Sequence, residues 1–362
     1  MSGWRRRIAV TGGCGFIGGA YLRQMVPRHP EDLYVNIDAL TYAASPERVA
    51  AVAHEGNYVF ERVDIRDTKA VVECLGRHSI TDVVHFAAES HNDRAILTPL
   101  RFVETNVVGT ANLLEAWRVV AKGSGGRFHH ISTDEVYGSL PIEGGEGFTE
   151  STPYDPSSPY SASKAAADHL VRAWHRTFGL DVVITNCSNN FGPFQFPEKL
   201  LPVMISNALS GRRLPVYGDG MNVRDWIHVE DHCDALDLVL RQGRAGRTYN
   251  IGADCEIPNI TLVTMLCEII DQREGPLPGG RSRASLIEFV PDRPGHDRRY
   301  AIDASRIREE LGWSPRHEFR QALEDTVDWY RTHRAWVENC QKSDEFRAYA
   351  ERNYGERSGD VS

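Results

Sequence analysis

No run of this sequence approaches the roughly 20 apolar residues that a membrane-spanning helix needs, so the chain is expected to be soluble. Cysteine is sparse and unpatterned. The seven residues (14, 74, 187, 233, 255, 267 and 340) are odd in number and never spaced C-x-x-C, which indicates neither a disulfide framework nor a zinc module. Excess positive charge is missing too: a net charge of −9 with 25% charged residues gives no overall field that would gather nucleic acid or an anionic membrane. Any anionic ligand must therefore meet a local basic island. Arg5, Arg6 and Arg7 resemble the start of an export signal, but only Ile8-Ala9-Val10 follows before the glycines begin, too short for an apolar signal core. A cytoplasmic location is expected. There is no internal repeat and no low-complexity tract.

What is present is length and rhythm. The 362 residues allow a large buried core, and two domains or one elaborated domain. Short β-rich runs recur at 7–11, 33–38, 58–65, 81–86, 127–133 and 181–187. Between them lie helix-like stretches: 16–26, ended by Pro27; 68–77; and roughly 100–121, ended by Gly123-Ser124-Gly125-Gly126. This βαβ alternation predicts an α/β fold, a Rossmann-type doubly wound parallel sheet with helices on both faces. After about residue 190, Pro and Gly punctuate shorter segments such as FGPFQFPEKLLP, LPVYGDG and VPDRPGH. The expected division is residues 1–190 as a cofactor domain and 191–362 as a smaller α/β substrate domain, with segment 225–252 returning a helix and a strand to the first sheet.

The first run leads into Gly12-Gly13-Cys14-Gly15-Phe16-Ile17-Gly18, which contains G-x-G-x-x-G and opens into a helix. Glycines there permit a tight turn and close approach of a pyrophosphate, whose charge the helix N-terminus stabilises. Asp38 ends the second run, twenty residues past Gly18, where an acid can accept from adenosine ribose hydroxyls. The next arginine after Asp38 is Arg48. An acid without a nearby cation disfavours a 2′-phosphate, so NAD is expected over NADP.

SSPYSASK places Tyr160 and Lys164 at i, i+4 after a proline-rich entry that marks a helix start. Such pairs are commonly exposed surface residues; downstream of a dinucleotide turn they read as a proton-transfer pair. A tyrosine acting as base near neutrality must shed about 3 pKa units from about 10, or roughly 4 kcal/mol. One neighbouring cation supplies about 1 to 3 units, so Lys164 together with an oxidised nicotinamide is the expected source. In FHHISTDEVYG, Asp134 and Glu135 follow Thr133 at a strand end, where adjacent acids taken alone read as a solvated strand exit. His129 and His130 alternate faces in that strand, one expected in the core and the other exposed or near the cofactor.

Taken together, TGGCGFIG, DALTYA, HFAAESHNDR, ETNVVGT, HHISTDEVYG, SPYSASK, TNCSNNFGPFQFPEKL, RDWIHVEDH and DRPGHDRRYAID resemble the extended short-chain dehydrogenase/reductases. Within them, the chain from about Ile8 to Tyr354 is similar to the dTDP-glucose 4,6-dehydratase family. The resemblance implies a catalytic set of Thr133, Asp134, Glu135, Tyr160 and Lys164. The acids are the discriminating feature, since sugar 4-epimerases of similar fold keep hydroxyl, Tyr and Lys but lack the Asp-Glu pair. It also implies tightly bound NAD, regenerated each turnover, around Gly12, Gly15, Phe16, Ile17, Gly18, Asp38, Ala39, Leu40 and Thr41. Asp64, Ile65, Phe86, Ala87, Ala88, Glu89, Ser90, Thr105 and Asn190 complete that implied cofactor set, with Tyr160 and Lys164 reaching the nicotinamide.

For the nucleotide sugar the resemblance implies Ser90, Thr133, Asn189, Lys199, Leu200, Pro215, Val216, Tyr217, Asn259, Asp292 and Tyr354. Cations concentrate late in the chain, at Arg224, Arg293, Arg298 and Arg299, and arginine's fork suits phosphate oxygens. The resemblance selects Arg224, Arg293 and His296 among these neighbours as diphosphate or ribose contacts. His228 and His232 stand at metal-ligand spacing if helical, but the resemblance places them at a strand-to-helix connection, and no metal is expected. Asn92 stands where the family usually has Val, and FQFPEKL with Gln195 replaces a more frequent YHFPEKL; neither is expected to touch the proton-transfer set, but both lie near implied contacts where they bear on sugar or base preference. A homodimer formed through the helices around 100–121 and 160–178 is a further expectation. The alternatives left open are a 4,6-dehydratase of another nucleotide sugar, a nucleotide-sugar 4-epimerase, and a non-catalytic NAD-sensing protein.

Overall fold

In the computed structural model, which describes residues 3 to 351, seven parallel strands form one sheet. The strands are β1 (Arg7–Thr11), β2 (Leu33–Ile37), β3 (Tyr58–Glu61), β4 (Asp82–His85), β5 (Phe128–Thr133), β6 (Val182–Cys187) and, far along the chain, β10 (Thr248–Ile251). Their spatial order is β10-β6-β5-β4-β1-β2-β3. Every residue of β2, β4, β5, β6 and β10 is buried. Burial of both faces is what such apolar, β-branched runs require, and it needs helices above and below.

Helices α1 (Phe16–Arg28), α2 (Thr68–Arg77), α3 (Asn92–Leu97), α4 (Pro99–Phe102), α5 (Thr110–Val120) and α6 (Pro159–Phe178) join these strands. The segment expected as one helix over 100–121 is instead broken by a π-helical stretch, Val103–Gly109. The helix expected to stop at Pro27 runs on to Arg28, because a proline in the last turn forfeits only one backbone bond. The β3 run is shorter than expected: residues 62–65 leave the sheet edge. His129 and His130 are both fully buried, since helices cover both faces, so of the two places expected for the second ring the exposed one is excluded. Proline does open α6 at its first position. Ser158 caps it, accepting from Ser161 N at 3.0 Å, and Gly179 closes it in the left-handed region at φ 69°.

The later chain adds β7 (Asn189–Phe191), α7 (Leu200–Leu209), β8 (Leu214–Tyr217), β9 (Val223–His228), α8 (Val229–Gln242), β11 (Glu256–Pro258), α9 (Asn259–Glu274) and β12 (Ile287–Val290). It ends in α10 (Ser305–Leu311), α11 (Phe319–Thr332), α12 (Arg334–Gln341) and α13 (Asp344–Ala350). The segment α8 and β10 belongs with the large sheet: β10 pairs with β6, and α8 packs against α1. A separate apolar cluster gathers Leu201, Met204, Ile205, Leu262, Leu266, Ile270 and Leu323 from α7, α9 and α11. Between that cluster and the carboxyl ends of β1, β4, β5 and β6 runs a cleft, at the edge where open α/β sheets bind ligands.

Candidate active site

The cleft begins at the turn after β1. Gly12 sits at φ +71°, and a Cβ on it would lie 2.7 Å from Ala87 N; a Cβ on Gly18 would lie 2.4 Å from Gly12 O. Only glycine allows the turn, the loop after β4 and the start of α1 to approach this closely. Asp38 is buried, which raises its carboxyl pKa, and it accepts from Cys14 N at 2.9 Å and from Leu40 N at 2.8 Å. It therefore ties its own loop to the glycine turn. Gly12, Gly15, Phe16, Ile17, Gly18, Asp38, Ala39 and Thr41 all line this wall of the cleft. Leu40 does not: its side chain packs into the core, and only its backbone serves the turn.

Arg48, distant from Asp38 in sequence, lies in the same wall. It is fully buried, and its guanidinium donates to Cys14 O at 2.9 Å, to Phe194 O at 3.0 Å and to Ala43 O. These carbonyls take its Nε and Nη1 donors, while Nη2 has no hydrogen-bond partner among the described residues. The opposite wall is formed by Asp64, Ile65, Phe86, Ala87, Ala88, Glu89, Ser90 and Thr105. Asn106 in the π-helical stretch organises it, accepting from Glu89 N at 2.8 Å and donating to Glu89 O and to Ser163 Oγ, both at 2.9 Å. The sequence marked neither Arg48 nor Asn106 as a site residue. Asn190, also in the cleft, is oriented by His232, whose Nδ1 lies 2.8 Å from Asn190 Oδ1. That contact gives His232 a role unrelated to metal binding.

At the floor, β5 delivers Thr133 and the acids, and α6 delivers Tyr160 and Lys164; all five line the cleft. Thr133 Oγ1 is 3.3 Å from Asp134 Oδ1 and accepts from Glu135 N at 3.4 Å. Asp134 is buried, with Oδ2 lacking a hydrogen-bond partner among the described residues. Burial first, then the charges of Glu135 and Asp225, hold its carboxyl well above the ordinary aspartate value. The pair thus does not form a solvated strand exit. Glu135 is half-buried, and its Oε2 accepts from Asn92 Nδ2 at 2.8 Å. Asn92 was expected to lie outside the proton-transfer set; the structure puts it in contact with one of its acids.

Lys164 Nζ donates to Ile131 O at 2.8 Å, and burial pushes its pKa down to about 8. Lowering of Tyr160 is expected from Lys164 together with an oxidised nicotinamide; the largest influences within the protein act in the opposite direction. Burial, and next the charge of Glu135, raise the phenol, while the ammonium is turned onto the strand carbonyl.

The cleft continues past Glu135 into a second chamber lined by Asn189, Lys199, Leu200, Pro215, Val216, Tyr217, Arg224, Asn259, Arg293 and His296. Arg224 stacks on Tyr300 with its guanidinium 4.2 Å from the ring centroid, and donates to Val223 O at 2.8 Å and Asp297 O at 3.0 Å. Lys199 Nζ donates to Ser90 O at 2.7 Å and bridges the two chambers. Asp292 stands behind the lining, holding His296 Nδ1 at 2.6 Å. Arg298 and Arg299 are engaged with Asp219 and Glu256 and do not line the chamber. Tyr354 lies outside the described residues.

A family model described as GDP-mannose 4,6 dehydratase matches residues 9–326. The chain is 50% identical over 361 residues to dTDP-glucose 4,6-dehydratase 1 of Escherichia coli K12, covering 96% of this chain and 99% of that protein. The chain belongs to the dTDP-glucose 4,6-dehydratase family. It is also 52% identical over 335 residues to the dTDP-glucose 4,6-dehydratase of Xanthomonas campestris pv. campestris strain B100, covering 91% and 94% of the two chains. Among solved structures, DesIV, a dTDP-glucose 4,6-dehydratase from Streptomyces venezuelae crystallised with NAD, aligns with a TM-score of 0.85 at 45% identity, covering 92% of this chain and 99% of that one. An NAD complex of UDP-glucose 4-epimerase from Thermus thermophilus aligns with a TM-score of 0.80 at 28% identity, covering 90% and 99%. Dehydratase and epimerase thus share the fold. Members of the family this chain belongs to are NAD-dependent hydro-lyases.

Proposed function

We propose that this protein converts dTDP-glucose to dTDP-4-keto-6-deoxyglucose and water. The observation that carries the reading is the pair Asp134 and Glu135, set beside Thr133, Tyr160 and Lys164, where the glycine-lined chamber opens into the arginine-bearing one. An epimerase has no use for that pair. The names of relatives near 50% identity favour dTDP-glucose over other nucleotide sugars.

The glycine chamber fits a dinucleotide: Gly12 and Gly18 let the turn close tightly against Ala87 and itself at the N-terminus of α1, a place suited to a pyrophosphate, and Asp38 offers acceptor atoms at the ribose end. NAD held by this turn, Asp38, Thr105 and Asn190 supplies a hydride acceptor for carbon 4, a hydride donor for carbon 6 and, when oxidised, positive charge in the same chamber. Tyr160 takes the proton of the 4-hydroxyl, with Thr133 holding that oxygen and Lys164 supporting the phenolate. The resulting ketone acidifies carbon 5, so a carboxylate suffices as base. Glu135 removes that proton; the C5–H electron pair forms the C5–C6 double bond as the C6–O bond breaks. Asp134, kept neutral by burial, gives its proton to the departing hydroxyl, which leaves as water. Glu135 finally returns a proton to carbon 5. Arg224, Arg293, His296 and Lys199 receive the diphosphate and ribose.

Residues 1–190 with 225–252 form the cofactor half in this reading, and the remaining later segments the sugar half. Two copies associate through the outer face of α4, α5 and α6, where Leu100 is 74%, Val119 56% and Phe178 48% exposed. The protein works in the cytoplasm; among the described residues no helix is long and apolar enough to cross a membrane. The test is incubation of purified protein with dTDP-, UDP-, CDP- and GDP-glucose and no added NAD. A 4-keto-6-deoxy product, formed fastest from the dTDP sugar, is expected. No product from any of them removes the reading, and stoichiometric NADH release makes it a simple dehydrogenase.

A further inference from the structure

We propose that His228, Glu230 and His317 form a zinc site that fastens the start of α8 to the segment between α10 and α11. One donor atom from each of the three side chains lies within 4.8 Å of the others. His228 ends β9 and caps α8, Glu230 stands in the first turn of α8, and His317 comes far along the chain, just before α11. The spacing of His228 and His232 points to a different pair. His232 turns to Asn190, whereas the ring of His228 lies against that of His317, with centroids 4.1 Å apart and planes tilted by 38°. Tetrahedral zinc with bonds of about 2.0–2.2 Å needs donors about 3.4 Å apart. His317 Nε2 and Glu230 Oε2 stand at 3.6 Å, and the exposed Glu230 side chain is free to close the remaining gap by rotation.

His317 is prepared for a metal from behind. The buried Asp231 lies 2.8 Å from its Nδ1 with one oxygen and takes its backbone N–H at 2.9 Å with the other. With the Nδ1 proton directed at that carboxylate, Nε2 keeps its lone pair on the side of Glu230, the carboxylate–histidine arrangement that stands behind metal-bound imidazoles. His228 Nδ1 accepts from Glu230 N only at the long distance of 3.4 Å, a contact weak enough to yield to a ligand bond. The local charge favours a cation. The N-terminus of α8 presents about half a positive charge, but its first turn carries two carboxylates, Glu230 and Asp231, and the nearby Arg316 is engaged by Asp234. Two imidazoles and one carboxylate suit zinc rather than magnesium or calcium, which take oxygen ligands. Two other groupings of His, Cys and acids among the described residues are already filled: Glu61, near Cys74 and His78, is paired with Arg77, and Asp32, near His29, with Arg241. Helix α8 packs against α1, whereas α11 packs against α7 and α9, so the ion joins two separate apolar clusters.

The experiment titrates zinc into chelator-treated, tag-free protein against a coloured zinc indicator, for wild type, His228→Phe, Glu230→Gln and His317→Gln. Glu230 and His317 are exposed, so their variants carry the test should His228→Phe, whose ring packs against Phe191, impair folding. Expected in the wild type is one zinc per chain with a Kd of about 10 µM or tighter, held against millimolar magnesium. Zinc about 100-fold above that Kd should raise the melting temperature by about 4 °C. Each variant should bind at least about tenfold more weakly and lose most of the shift. X-ray absorption of the zinc-loaded wild type should show two imidazole nitrogens at about 2.0–2.1 Å. Zinc bound equally by wild type and His317→Gln, a zinc shell without two imidazoles, or a wild-type Kd weaker than expected overturns the assignment. The dehydratase reading is tested separately, since none of the three ligands lines either chamber.

Discussion

Asp134 and Glu135 are consecutive in the chain and held in opposite circumstances. Asp134 is 2% exposed, with Oδ2 unpartnered among the described residues, and burial with neighbouring charge holds its pKa well above the ordinary aspartate value. Glu135 is half-buried, and its Oε2 takes a hydrogen bond from Asn92 at 2.8 Å. A neutral acid beside a hydrogen-bonded carboxylate is the division that elimination of water requires, and environment alone produces it.

Asp134→Asn removes the proton donor while keeping the shape. Oxidation at carbon 4 should persist, and loss of the 6-hydroxyl should slow by about 10²- to 10⁴-fold. Glu135→Gln should suppress solvent-deuterium incorporation at carbon 5. Rapid-quench mass spectrometry in heavy water reads both. Wild-type turnover in both variants would take these residues out of the chemistry.

Lys164 is held near a pKa of about 8 by burial, below the ordinary 10.5. Above pH 8 it loses charge, so kcat/KM is expected to fall there, and Lys164→Arg should move that limb to higher pH. The linkage to stability runs the other way. A lysine depressed in the folded state costs stability fully below its folded value, and that cost is relieved as pH rises from about 8 toward 10.5. Melting temperatures across this range therefore separate loss of activity from loss of fold. A pH profile for Lys164→Arg superimposed on the wild type would exclude Lys164 as the titrating group.

Gly12→Ala forces a side chain into a left-handed residue and places Cβ 2.7 Å from Ala87 N. A loss of about 1–3 kcal/mol in stability is expected, with NAD absent from the purified protein. Thermal melting and the absorbance of released nucleotide check it. A variant that melts like wild type and retains NAD would show that the turn relaxes freely.

Leu100 and Val119 stand on the outer face of α4 and α5, at 74% and 56% exposure. Leu100→Asp with Val119→Asp should convert a dimer to a monomer in sedimentation velocity without unfolding it. A wild-type monomer would dismiss the proposed association.

Local pattern carried most of the sheet. Each β-rich run from Arg7 to Cys187 became a strand, because parallel strands covered on both faces leave a continuous apolar record. The run at 58–65 overshot because Val63 and Ile65 have the composition of a strand and the task of lining a cleft. The π-helical stretch left no such record: one extra residue in a helical turn barely disturbs a 3.6-residue period. The glycine turn and the Tyr160–Lys164 pair were legible from spacing. Asn92, Arg48 and Asn106 were not, since each acts through partners far away in sequence. Tyr160 depends on more than its neighbour in the helix: burial and Glu135 raise the phenol, so the lowering expected from Lys164 rests on the oxidised nicotinamide as well.

Arg48 has a mechanical consequence. One guanidinium grips Cys14 O in the glycine turn, Ala43 O in the loop after Asp38, and Phe194 O on the sugar side. It works as a rivet through three layers. Any movement of Phe194 away from the glycine turn must draw its carbonyl off a buried guanidinium, and leaving a buried charged donor unpaired is costly. Phe194 is thereby fastened to the glycine turn, and with it the start of the FPEKL segment whose Lys199 lines both chambers.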